Sequence, residues 1–161
     1  MAYHIDTQHP GTVIRFFLAA EAIDNIIEGG FFFFWPHTFL RMILAEGTDI
    51  DAAHATLLRV FALVLVCCIS LQTALCVPNT PFAIEGRKLL YLGYALVEGA
   101  GIAFFWYCGI TGPESSGLDP ESSKFMAKQL LVPFIGRFIP LWKTEYFGRY
   151  TIVAETGKKR A

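Results

Sequence analysis

Between Thr12 and Trp35 an apolar run of membrane-crossing length is interrupted by Glu21, Asp24, Asn25 and Glu28. About 20 apolar residues in a helix cross a bilayer. At about 100° per residue the four polar side chains fall in one stripe of that helix, with Ile14, Leu18, Ala22, Ile26 and Phe33 mostly elsewhere. A carboxyl facing lipid costs several kcal/mol, so the stripe is expected to face protein, water or a polar ligand. That requirement restricts the fold more than any other feature, because other helices must bring polar groups to the same depth.

The rest of the chain supplies such helices. Of 161 residues, 54% are hydrophobic, above the soluble norm of roughly 45–50%. A net charge of -1 leaves no basic face for nucleic acid. The expectation is an all-α integral membrane protein of one domain, residues 1–161, built as a four-helix transmembrane bundle. Its spans are predicted at about 12–35, 56–77, 89–110 and 125–142.

The first span ends at Trp35-Pro36, and His37 to Ala45 reads as a short interfacial helix. Asp51 is an expected N-cap for the second span, which Pro78-Asn79-Thr80-Pro81 breaks. Glu85, Arg87 and Lys88 are assigned to the connection. The third span carries Glu98 near its middle, and Gly93, Gly99 and Gly101 would let another helix approach closely. Asp119-Pro120-Glu121 marks the start of a fourth helix reaching Trp142, with kinks expected at Pro133 and Pro140. Both tails read as polar. The four cysteines sit in apolar runs, where packed thiols are the expectation. Met1 to Thr12 has no positive n-region, so the first span is expected to act as its own insertion signal.

Arg87 and Lys88 in one connection, with Lys143, Arg149, Lys158, Lys159 and Arg160 in the tail, set the charge bias, and the other two connections are acidic. Basic residues prefer the cytosol, which places both termini there and agrees with four spans. The closing Lys158-Lys159-Arg160-Ala161 is similar to a C-terminal dilysine signal for the endoplasmic reticulum; an ordinary basic tail beside headgroups is the other reading.

Counting about 1.5 Å per residue puts Asp24 and Glu98 near mid-bilayer, Glu21 level with Arg137, and Glu28 level with Gln129. One reading is structural: Glu21 pairs with Arg137, and the other acids bond to Asn25, Gln129, Tyr94 or water to fix helix register. The other starts from a count. Four carboxyls face only Arg137 and Lys128, so one acid is left to hold a proton, as general acid/base chemistry requires. On that reading Glu21, Asp24, Glu28 and Glu98 are the catalytic candidates. Phe17, Asn25, Tyr91, Tyr94, Phe105, Gln129 and Arg137 are the expected substrate contacts, the aromatic faces being suited to a developing cation or else to core packing. No metal or cofactor is expected, since His37 and His54 lack ligand spacing to each other or to a cysteine.

Val13-Ile14-Arg15-Phe16-Phe17-Leu18 with Glu21, then Gly29 and Pro36-His37-Thr38-Phe39-Leu40, resembles a family of small fungal four-span integral membrane proteins found among genes for secondary metabolites. The resemblance covers most of the chain and implies an acid in the third span, here Glu98 where Asp is more usual. The acid and aromatic pattern is also similar to that of fungal membrane terpene cyclases, which are longer and have more spans. Together these imply work on a terpenoid or polyketide at the endoplasmic reticulum.

Three functions are open at this point. The first is a cyclase or isomerase acting on a lipophilic small-molecule substrate drawn from the lipid bilayer. The second is a non-catalytic membrane partner or scaffold of another pathway enzyme. The third is a proton-coupled transporter assembled as a homo-oligomer.

Overall fold

The computed structural model describes residues 2–153 of the chain. A strand, β1 (Ala2–Ile5), leads into α1 (Thr12–Phe34) and the short α2 (Pro36–Ile43). The next helix, α3 (Ala52–Leu75), contains a π-helical turn at Leu65–Ser70. After it come α4 (Pro81–Thr111), the single turn α5 (Pro113–Ser116), α6 (Pro120–Trp142), a 3-10 turn at Thr144–Phe147 and β2 (Tyr150–Val153).

The helix starts follow local chemistry. Asp51 accepts from the His54 N–H at 3.0 Å, Thr80 from Ala83 at 3.2 Å and Asp119 from Ser122 at 2.8 Å, each satisfying an orphan donor of a first turn. These bonds hold the Asp51 and Asp119 carboxyls below the usual aspartate range. Pro36, Pro81, Pro113 and Pro120 all stand in first turns, where a missing N–H costs nothing.

The helices pair as α1 with α3 and α4 with α6. The two pairs meet at one end, the near end, through a cluster of Ile14, Leu18, Cys76, Tyr91 and Phe147. At the far end, Asp119 N–H donates to Ile43 O and Ala45 N–H to Gly117 O, tying the exit of α2 to the loop before α6. Small residues mark the close approaches. A Cβ on Gly29 would lie 2.4 Å from Val66 Cγ2, and one on Gly101 would lie 2.9 Å from Leu130 Cδ1. Gly99 faces the Phe134 ring, whereas Gly93 faces open space and admits no neighbour, contrary to expectation.

Two helices, α3 and α4, are long and apolar enough to cross a membrane, with mean hydropathies of 2.2 and 1.5 over their most apolar windows. Only 17% of each window is buried, so most of this apolar surface points outward. α1 and α6 have 23 residues each. They fall short on composition because α1 carries Arg15, Glu21, Asp24 and Glu28, and α6 carries Glu121, Lys124, Lys128 and Arg137.

Several expectations are corrected. The protein is mostly helical but not all-α: β1 and β2 form an antiparallel two-stranded ribbon with Ile5 opposite Tyr150. Tyr3, Ile5, Tyr150, Thr151 and Ile152 are β-branched or aromatic residues that the polar-tail reading passed over. The expected third span begins at Pro81 rather than Leu89, since Thr80 caps a helix that Pro81 can open. Arg87 therefore leaves the connection and is fully buried, which removes it from the count of loop charges. Cys76 and Cys108 are buried as expected, but Cys67 and Cys68 are exposed. Lys158-Lys159-Arg160-Ala161 lies outside the described residues.

Candidate functional site

Three helices converge on one guanidinium. On α4, Tyr91, Tyr94 and Glu98 follow at spacings of three and four residues and so share a face. Opposite them on α6 is Arg137, 6% exposed. Its Nε donates to Glu98 Oε1 and Oε2 at 2.8 and 2.7 Å, and its Nη2 to Oε1 at 2.6 Å. Nη2 also reaches Glu21 Oε1 on α1 at 2.5 Å. The guanidinium carbon stands 4.4 Å from the Tyr94 ring centre and 5.2 Å from that of Tyr91, within cation–π range.

A hydrogen-bonded chain backs this triad. Thr73 Oγ1 on α3 donates to Ile69 O at 2.7 Å, which leaves its lone pairs for the Tyr94 hydroxyl. Asn25 Nδ2 then donates to the same tyrosine oxygen at 3.4 Å. Tyr94 is thereby fixed beneath Arg137 by residues of α1 and α3. Ser70 Oγ donates to Ala22 O at 2.7 Å and pins α3 to α1 at the residue next to Glu21.

Between α1 and α6 a half-enclosed cleft of about 540 Å³ opens beside the triad. Val13, Phe17, Val132, Pro133 and Ile139 are among its apolar walls, with Glu21, Arg137 and Tyr91 also lining it. Glu21 Oε2 is buried and has no hydrogen-bond partner among the described residues. The cleft thus combines an apolar volume in the range of small-molecule sites with one unsatisfied acceptor and a paired cation.

Of the expected site residues, Glu21, Glu98, Arg137, Tyr91, Tyr94 and Asn25 come together, and Phe17 lines the cleft. Asp24 and Glu28 do not join them: both are exposed on α1. The buried line of α1, Ile14, Leu18, Ala22 and Gly29, is centred about 60° from Glu21 on the side away from Asp24, because α1 packs on α3 rather than on α6. Only Glu21 is then within reach of Arg137. Gln129 is exposed on α6, and Phe105 is half-buried on α4 outside the cleft lining.

Thr73 and Arg87 were not anticipated. Arg87 lies one turn before Tyr91, and donates to Cys76 O at 2.8 Å, Phe147 O at 2.5 Å and Pro78 O at 2.7 Å. Among the described residues no carboxylate pairs with it. The helical start signal Thr80-Pro81 would have placed it on the inner face. No family model, curated protein or solved structure matches the chain in comparisons with known proteins.

Proposed function

We propose that this is an integral membrane protein, with α1, α3, α4 and α6 as its spans, that admits a lipophilic small molecule to the α1/α6 cleft and isomerises or cyclises it by proton transfer at Glu21. The observation that carries this reading is the buried Glu21 Oε2, without a hydrogen-bond partner among the described residues, on a side chain that lines an apolar cleft. Two carboxylates share one guanidinium there. A proton on Glu21 makes the group neutral and places an O–H against the substrate.

In the simplest step, the Oε2–H bond breaks and a C–H bond forms on an alkene of the substrate, leaving a carbocation and a Glu21 carboxylate paired with Arg137. Attack by a second double bond closes a ring. Loss of a proton from a neighbouring carbon to Glu21 restores the acid, so no oxidant or reductant is consumed. Glu98 is a positioning residue that holds Arg137, and the Tyr91 and Tyr94 rings add cation–π contacts to the guanidinium. The four-span assignment is supported by the outward apolar residues, including Phe16, Ile23, Ile27, Leu96, Phe104, Val132 and Ile139. The resemblance to small fungal membrane proteins points to a terpenoid or polyketide substrate and to the endoplasmic reticulum, and the bias of basic residues favours cytosolic termini.

Microsomes holding the protein and supplied with polyene precursors are expected to yield a product of unchanged mass. Absence of any new product, or undiminished product from Glu21→Gln, removes the reaction. A second reading, a non-catalytic membrane partner, is favoured by Asp24 and Glu28, whose outward position on α1 calls for a polar neighbour. It predicts co-purification of a second protein that is lost in Asp24→Leu/Glu28→Leu.

A further inference from the structure

With both acids ionised, the triad is one positive charge short. Glu21 and Glu98 carry two carboxylates, and among the described residues Arg137 is the one basic side chain that lines the cleft. The neighbouring cations are engaged elsewhere, Arg87 by backbone carbonyls and Arg15 by Val77 O at 2.8 Å. A net charge held in an apolar setting is costly, and so is a buried acceptor without a donor. Glu21 Oε2 lacks a donor among the described residues, and it belongs to one of the two carboxylates that share the single guanidinium.

We propose that the α1/α6 cleft is a binding site for a lipophilic amine in its ammonium form. The N–H donates to Glu21 Oε2, and the hydrocarbon lies along Val13, Phe17, Val132 and Ile139. One group then supplies the missing charge and the missing donor together. An alcohol of equal length supplies the donor alone, and a quaternary ammonium the charge alone. A carboxylate supplies neither charge nor donor and adds a third anion beside Glu21 and Glu98. The affinity order that follows is amine, then quaternary ammonium and alcohol, then carboxylate.

This site shares its cleft with the reaction proposed above but does not require turnover. Were the reaction correct, its carbocation would occupy the position of the ammonium, and the amine would inhibit by resembling it.

The test uses the full chain in lipid nanodiscs, titrated with dimethyldodecylamine, dodecyltrimethylammonium, dodecanol and dodecanoate. Expected is binding of the amine about tenfold or more tighter than the alcohol, lost in Glu21→Gln but kept in Glu28→Gln, whose carboxyl faces outward. An equal loss in Glu28→Gln would mean that surface charge attracts the amine, and would overturn the site. So would equal affinity for alcohol and amine. The melting temperature of unliganded Glu21→Gln is compared with that of the unmutated protein; should the variant be unfolded, Glu21→Asp, which withdraws the carboxylate by one methylene, must weaken the amine selectively. Amine binding without any turnover leaves this site standing and removes the enzyme; Glu21-dependent product without amine preference does the reverse.

Discussion

Arg137 and Glu98 meet across α6 and α4 as a fork, the guanidinium Nε lying 2.8 and 2.7 Å from the two carboxylate oxygens. Both side chains are buried, and Nη2 continues to Glu21. Such a pair contributes less to stability than its geometry suggests, since each ion gives up water, but removing one member strands the other.

Arg137→Met is therefore expected to destabilise the protein by about 3–5 kcal/mol, because it leaves the buried Glu98 carboxylate and the half-buried Glu21 without a cation. Replacing all three members with apolar residues should recover most of that loss. Melting temperatures of the single and triple variants in one detergent measure both. A triple variant as unstable as Arg137→Met would show that the ion cluster itself holds α1, α4 and α6 together.

Glu21→Gln keeps the side chain's size and its contact to Arg137 but removes the transferable proton. Turnover of the proposed reaction should fall about 10²–10⁴-fold with little change in melting temperature. Asp24→Asn and Glu28→Gln, both outside the cleft, should keep full activity. Activity lost equally in all three variants would move the chemistry out of the cleft.

How far the sequence alone carries can be judged at individual residues. Asp51, Pro36, Asp119 and Pro120 act through atoms within four residues of themselves, and the elements they start were readable. The equal depth of Glu21 and Arg137 followed from counting rise per residue along two antiparallel helices. Which way α1 rotates was not readable, because a stripe with acids on one side and small residues on the other suits two packings. Gly29 against Val66 and the Ser70 bond to Ala22 O select the one that turns Asp24 and Glu28 outward. Arg87 falls in a connection on sequence grounds for a different reason: Thr80-Pro81 reads as the end of one helix but is the start of the next.

The same rotation of α1 makes its glycine testable. Gly29→Ala would place a methyl 2.4 Å from Val66 Cγ2 and 3.2 Å from Ala62 O, so a loss of about 1–3 kcal/mol is expected from overpacking. Gly93→Ala meets nothing within 4 Å and should stabilise α4 by about 0.5–1 kcal/mol, the ordinary gain of alanine over glycine within a helix. Thermal unfolding of the two variants should shift in opposite directions. A stable Gly29→Ala would contradict the close α1/α3 approach.

Arg87 joins three parts of the near end: the exit of α3 through Cys76 and Pro78, its own helix α4, and the 3-10 turn through Phe147. Arg87→Met should strand these carbonyls and cost about 3 kcal/mol, while loosening the segment that carries β2. Trypsin cleavage after Arg149, which is exposed, should then accelerate more than cleavage after Arg59 in α3. Cleavage that accelerates equally at both sites would indicate general unfolding instead of a local clasp.

The two acidic caps give the protein a pH dependence with a definite sign. Asp51 and Asp119 each accept a backbone N–H at the start of a helix, from His54 and Ser122 respectively, and these bonds depress their carboxyl pKa values in the folded state. A group depressed on folding contributes stability above its unfolded pKa, about 3.9 for aspartate, and loses it as pH falls through the folded value. Asp51→Ala/Asp119→Ala should therefore melt below the unmutated protein at neutral pH, and the gap should narrow on acidification below about pH 4. His54 also lies 2.7 Å from Asp51, so the Asp119→Ala single variant is the cleaner measure of the cap alone. A gap that stays constant down to pH 2 would mean that the caps act through the shape of their first turns and not through the carboxylate charge.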